Sequence, residues 1–156
     1  MQIIFDESTL HQSKKGSITG VVFFDFGEVL FPDDRWNDFV VVVATWWLGA
    51  LERLELGIDR EVVFEFMDGP YSIMLTRQDA NNVLLRCIED RSNGGILHQE
   101  RVELPALAAL VRRLARQIAS ACRRNGLESS DVDTLKRYLP NWCHGSRQSA
   151  CHDREP

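Results

Sequence analysis

Short apolar runs separated by polar turns predict strands at the start of this chain. Such runs cover residues 3–5, 18–24 and 29–31, with polar turns around Gly16 and at residues 25–28. Apolar runs separated by Gly-containing and Asp-containing turns are typical of β-hairpins. The opening segment therefore predicts strands joined by tight turns.

A long apolar segment then predicts the first helix, over residues 35–56. Spacings of three or four along this segment separate Trp36, Phe39, Val40, Val43, Trp47, Leu51 and Leu54, which is the helical period. Asp33 and Asp34 stand where carboxylates accept the free amides of a first turn, and Gly57 is a typical stop. The valines at 40–43 would also suit a strand, but the spacing favours a buried helix.

Four further strands are predicted in succession, at residues 62–67, 71–76, 83–88 and 96–102. Turns rich in Asp, Asn, Gly and Pro separate them. Because no helical pattern interrupts this series, it favours an antiparallel meander over parallel strands linked by crossover helices.

A second helix is predicted over residues 104–123, with apolar residues on one face and arginines mostly elsewhere. Asn125 and Gly126 provide its end, and Ser129 begins a short third helix before Pro140. The fold class that follows is α+β, an antiparallel meander sheet of five to seven strands with two main helices packed on one face. Residues 1–140 form the single predicted domain, and the polar residues 141–156 a flexible tail.

Composition and charge narrow the classes of function. The chain has 156 residues, 44% of them hydrophobic, which suits one globular domain. Its net charge of -5 does not provide the excess of basic residues that is typical of nucleic-acid binding. The first ten residues contain acidic side chains and do not form a secretory signal. The longest apolar run, residues 39–44, is too short to span a bilayer. We expect a cytoplasmic protein without nucleic-acid or membrane partners.

The cysteines and histidines do not predict a metal or cofactor. Cys87 and Cys122 lie in a predicted strand and helix, where a small buried thiol is the simplest interpretation. The pairs at 143–144 and 151–152 are each Cys-His, but their spacing differs from that of structural zinc sites. Common hydrolase and nucleotide-binding motifs are missing from the sequence.

The segment VFFDFGEVLF, residues 22–31, resembles the first motif of haloacid-dehalogenase-like phosphatases. That resemblance implies Asp25 as a nucleophilic aspartate, followed in order by a lysine and a late acidic pair. No lysine occurs between Lys15 and Lys136, and the later acidic pair at 89–90 falls out of order. The alternative interpretation is a hairpin turn, in which Asp25 and Gly27 stabilise the backbone conformation of the turn. We favour this interpretation because a catalytic motif needs its structural context.

Two segments place aromatic residues beside carboxylates and a proline, at residues 31–39 and 64–71. Rigid aromatics supply interface contact and carboxylates select a basic partner, so these segments predict a protein-recognition surface. Core packing with a helix cap and a hairpin turn is the other interpretation. The candidate binding residues are Asp34, Trp36, Asp38, Asp68 and Tyr71.

The run FPDDRWNDFVVVVATWWLGALERL, followed by FEFMDGPY, resembles a group of small uncharacterised bacterial α+β proteins. These are similar to the immunity proteins that neutralise polymorphic or contact-dependent toxins, and the resemblance covers residues 17–139. It implies a compact intracellular protein that acts by binding. The leading hypothesis is therefore a non-enzymatic inhibitor of a basic toxin domain. The alternatives are a phosphatase using Asp25 and a structural subunit of a homo-oligomer.

Overall fold

The computed structural model describes residues 1–91 and 94–139. The N-terminal part contains β1 (Gln2–Gln12), β2 (Ile18–Asp25), β3 (Leu30–Phe31), β4 (Asn37–Asp38) and α1 (Val40–Glu55). The rest contains β5 (Glu61–Glu65), β6 (Tyr71–Arg77), β7 (Asn82–Glu89), β8 (Gly95–Glu103), α2 (Leu104–Arg124) and α3 (Ser130–Arg137). The predicted tail with its Cys-His pairs lies outside the described residues.

The strands form two four-stranded antiparallel sheets, one on each side of α1 in the sequence. In the N-terminal sheet, β2 pairs with β1 along one edge and with the short strands β3 and β4 along the other. In the C-terminal sheet, β5 to β8 pair in chain order, which confirms the predicted meander and the α+β class. The single sheet of five to seven strands was wrong, because β1 to β4 complete a separate sheet before α1 begins.

Each sheet buries one face against the helices. Alternate residues of β2, such as Ile18, Val22 and Phe24, are buried, and β6 and β7 show the same period of two. Helix α1 packs against β5 and β2, while α2 packs against α1, β1 and β8. The helices and the two inner faces therefore share one apolar core.

The first helix begins five residues later than predicted, at Val40. Asn37 and Asp38 instead pair with β2, and the amide of Val22 donates to the carbonyl of Trp36 at 2.9 Å. These bonds hold the backbone before α1 extended. Asp33 caps a turn in the preceding loop, because its carboxylate accepts from the amide of residue 35 at 2.8 Å.

The other helix boundaries follow the predicted signals. Gly57 and Gly126 adopt positive φ angles of 70° and 64°, one or two residues beyond the last helical turn. The Ser129 hydroxyl accepts from the amide of Val132 at 3.2 Å at the start of α3. None of the described helices combines the length and hydropathy that crossing a membrane requires.

Candidate binding surface

Aromatic side chains join the two sheets at one end of the molecule. Phe24 lies 5.4 Å from Trp47, and Trp47 lies 5.2 Å from Phe66, measured between ring centroids. Phe31 contacts Phe66 and Tyr71 edge-on at 5.8 and 5.7 Å. Such edge-to-face and tilted pairs are favourable beyond their buried area. We call this cluster, together with Trp36, the aromatic junction.

Trp36 closes the aromatic junction toward the surface. Its ring is half-buried and lies 5.0 Å from Tyr71 and 6.3 Å from Phe66. The tryptophan ring passes so close to Gly69 that a Cβ atom there would lie 2.7 Å from its Cη2 atom. Gly69 also has a φ of 91°, so both its backbone and its neighbour require glycine.

Asp38 fastens the loop before α1 to the hairpin between β5 and β6. Its Oδ2 atom accepts from Trp36 Nε1 at 3.1 Å and from the Met67 amide at 3.0 Å, and its Oδ1 atom accepts from the Phe39 amide at 2.6 Å. The Asp68 amide adds a longer contact of 3.4 Å. Only 1% of Asp38 is exposed. It therefore supports the surface from beneath and does not reach solvent, which matches the core interpretation for this residue.

Tyr71 is held between the core and the end of β7. Its hydroxyl donates to the Glu89 carboxylate at 3.3 Å, and Arg91 forms an ion pair with the same carboxylate at 3.1 Å. The Arg91 guanidinium lies 6.0 Å from the centre of the Tyr71 ring. The half-buried Tyr71 is thus fixed by aromatic rings of the core and by the charged side chains of Glu89 and Arg91.

Exposed aspartates lie in the segments that adjoin the aromatic junction. Asp34 lies in the loop two residues before Trp36, and Asp68 lies at the tip of the β5–β6 hairpin. Asp90 joins them because its amide donates to the Pro70 carbonyl at 2.7 Å. We call Asp33, Asp34, Asp68 and Asp90 the acidic rim. Within the described part of the chain, the carboxylates of Asp34, Asp68 and Asp90 form no hydrogen bond or ion pair.

The structure thus brings Trp36, Asp38, Asp68 and Tyr71 together and keeps Asp34 in the same loop. Sequence reasoning missed the packing of Gly69 beneath Trp36 and the position of Asp90. Both depend on contacts between segments that are distant in the chain. The Asp-Gly-Pro turn at 68–70 signalled a tight hairpin, but no local pattern could show which ring packs on it.

Asp25 has the geometry of a turn residue. Its Oδ1 atom accepts from the Gly27 amide at 2.7 Å, and the Phe26 amide donates to the Val29 carbonyl at 2.9 Å. The φ of Gly27 is 93°. Asp25 also ends a strand whose described pairings are all antiparallel. These contacts support the interpretation in which Asp25 and Gly27 serve the backbone.

The two described cysteines are buried, as expected from their positions. Burial, with a smaller contribution from the nearby Glu100 carboxylate, raises the pKa of the Cys87 thiol to about 12. This thiol is therefore neutral and unsuited to nucleophilic chemistry at ordinary pH. Within residues 1–91 and 94–139, no group of three or more His, Cys, Asp or Glu side chains is arranged to hold a metal ion.

In comparisons with known proteins, no family model, curated protein or solved structure matches this chain significantly. The comparisons therefore neither support nor contradict the resemblance to immunity proteins. The function has to be argued from the acidic rim and the aromatic junction.

Proposed function

We propose that this protein is a non-enzymatic binding protein, an immunity-type inhibitor that covers a basic surface of a toxin domain. One observation carries the proposal. The exposed carboxylates of Asp34, Asp68 and Asp90, which have no partner within the described residues, lie in the segments that adjoin a firmly held aromatic junction.

Rigidity makes this surface suited to binding. The Asp38 carboxylate ties two loops from different sheets together, and Tyr71 is held by Glu89. A surface that is ordered before association loses less conformational entropy when a partner binds. The backbone segments that carry the rim residues are thus held in place.

The chemistry of the surface matches a basic partner. Unpaired exposed carboxylates attract cations over several ångströms and accelerate encounter. Arg91 forms an ion pair with Glu89. In the segments 31–39 and 64–71, Arg35 is then the exposed side chain with a positive charge. Met67 is 48% exposed at the hairpin tip. Beside the half-buried rings of Trp36 and Tyr71, it supplies an apolar centre within a polar rim, the usual anatomy of an interface.

The proposal is tested with the product of the neighbouring reading frame as the candidate toxin. Association is measured by stopped-flow mixing at low and high salt for the wild type and for Asp34→Asn/Asp68→Asn. Because neither carboxylate has an internal contact, the double variant should fold normally. We expect it to associate several times more slowly at low salt, with the difference shrinking as salt screens the charges.

Glu52→Gln/Glu128→Gln is the matched control, because it removes the same charge at exposed positions outside the acidic rim. Its association rate should fall less than that of the rim variant at every salt concentration. Equal slowing by both variants would show that only net charge matters. Binding that survives replacement of Asp34, Asp68 and Tyr71 by alanine, in a folded triple variant, would place the interface elsewhere.

A further inference from the structure

Strand β8 presents a free backbone edge. The Leu104 amide donates to the Asn81 carbonyl at 2.7 Å, which fixes the alternation of the β7–β8 ladder. In that alternation, residues 98, 100 and 102 bond to β7, while the backbone groups of Gln99, Arg101 and Glu103 point away from the sheet. Among the backbone hydrogen bonds outside helices and ladders, none within the described residues involves Gln99 or Arg101.

Two of the other sheet edges, those of β1 and β5, have contacts with neighbouring elements. On β5, the outward carbonyl of Glu65 accepts from Trp47 Nε1 at 2.8 Å. Strand β1 packs against α2, and its Glu7 forms an ion pair with Arg124 at 2.5 Å. The outward edge of strand β8 is suited to accept another strand.

We propose that β8 pairs antiparallel with β8 of a second copy, about a two-fold axis at Gln99, to join two C-terminal sheets into one. This register places His98 opposite Glu100 of the second copy, on the face of the sheet that also carries Val102. By symmetry each pairing occurs twice. The strand is thus complementary to itself in charge around this axis.

Like charges exclude the neighbouring registers. An axis at Glu100 would set two carboxylates directly opposite each other, and an axis at Arg101 would oppose two guanidinium groups. Like charges directly opposite across antiparallel strands are destabilising. The axis at Gln99 avoids both of these repulsive pairs. It also centres the new ladder on a residue whose backbone groups point away from β7.

The environment of His98 is a second feature, besides the free edge of β8, that points to a partner strand. Its Nε2 atom is buried without a hydrogen-bond partner, and the nearest described carboxylate, that of Glu100, is 3.8 Å away. The imidazole is held against Phe26 at 4.3 Å between ring centroids. A buried polar atom without a partner is costly. Pairing brings a second carboxylate opposite this ring, from Glu100 of the second copy.

Two apolar side chains are exposed at the start of β8. Ile96 and Leu97 are 56% and 50% exposed. The register shift between Cys87 and Ile88 makes Leu97 a bulge and puts Ile96 on the same face of the sheet as Arg101. The aliphatic stem of Arg101 of the second copy can therefore shield Ile96 from water. Exposed apolar area is thus covered where the new ladder forms.

The test is sedimentation of the full chain across the micromolar concentration range. We expect a species of twice the 17.9 kDa chain mass. Gln99→Pro removes an amide that points away from β7, so it costs the isolated sheet no ladder hydrogen bond. It should raise the dimer dissociation constant about ten-fold or more, because it removes both central hydrogen bonds of the new ladder.

Val63→Pro is the matched control. The bond from the Phe66 amide to the Tyr71 carbonyl shows that Val63 also points its amide outward, on the opposite edge of the same sheet. Circular dichroism checks that both proline variants are folded, and Val63→Pro should dimerise like the wild type.

In a second arm, His98→Glu should weaken the dimer and His98→Glu/Glu100→His should restore it.

Three outcomes would overturn the proposal: a monomer at every concentration, a dimer that Gln99→Pro leaves intact, or open-ended assemblies instead of a closed pair. The acidic rim is not part of this ladder. The Asp34→Asn/Asp68→Asn variant should therefore dimerise normally, so that failure here is distinguishable from failure of the proposed function.

Discussion

Asp38 shows how much one buried carboxylate can organise. It is the only buried charged residue among those described, and it satisfies the indole of Trp36 and the amides of Phe39 and Met67. A buried donor that loses its acceptor costs about 1 to 3 kcal/mol. The relative position of the loop and the hairpin therefore depends on this single side chain.

Cys87 links stability to alkaline pH. Burial raises the pKa of its thiol to about 12 in the folded chain, whereas an unperturbed cysteine ionises near about 8.5. Between these values the folded state holds the proton more tightly than the unfolded state. The contribution of the buried thiol to the free energy of unfolding should therefore be complete below about pH 8.5. It should decrease as the pH rises toward 12.

The measurement is urea denaturation under reducing conditions at about pH 8 and about pH 10, for the wild type and Cys87→Ala. The wild type should lose about 1 to 2 kcal/mol more than the variant between these pH values. The uniform cost of removing the thiol cancels in this comparison. Equal losses would show that the thiol is not shielded from water.

At the scale of elements, local patterns predicted most of the architecture. The meander and α2 follow from periods of two and of three to four, and α3 from its Ser129 cap, because these signals lie within the elements themselves. The start of α1 was misplaced because Asn37 and Asp38 pair with Gly20 and Val21. That pairing is a distant contact, and it overrides the local signal of an acidic helix start.

The same limit applies to the candidate surface. In the sequence, Asp34 and Asp38 are equivalent carboxylates beside aromatic residues. Pairing of β4 with β2 and the approach of the β5–β6 hairpin bury Asp38, while Asp34 stays exposed. Residue type and neighbours assigned both aspartates to one candidate surface, and only tertiary contacts separate the buried Asp38 from the exposed Asp34.

The contact between the hairpin and the loop yields a prediction for Gly69→Ala. A Cβ atom there would lie 2.7 Å from the Trp36 ring at a φ of 91°, and the bond to Asp38 prevents the ring from moving freely. We expect a loss of about 2 kcal/mol or more in the free energy of unfolding. Urea denaturation followed by circular dichroism measures it.

Gly27→Ala separates the two causes. Gly27 has a φ of 93° but nothing within 4 Å of a Cβ atom, so its variant reports the backbone cost alone, about 1 kcal/mol. Gly69→Ala should be clearly more destabilising and should shift the tryptophan fluorescence. If the two variants are destabilised equally, the contact with Trp36 contributes nothing.

At the scale of the whole molecule, the two sheets share one core through the aromatic junction and α1. Phe66→Leu, in the hairpin of the C-terminal sheet, should therefore weaken both sheets by about 1 kcal/mol. Amide hydrogen exchange measures this as equal losses of protection in β2 and β7. Loss confined to β7 would show that the sheets open independently.

The order of the elements along the chain also determines the order in which the core is assembled during translation. A ribosome releases β1 to β4 while Trp47 and Phe66 are still unsynthesised or within the exit tunnel. Phe24 and Phe31, which are 0% and 1% exposed in the finished molecule, then face water. A translational pause before β5 would prolong this exposure, and the nascent sheet would be a target for chaperones or aggregation at that stage.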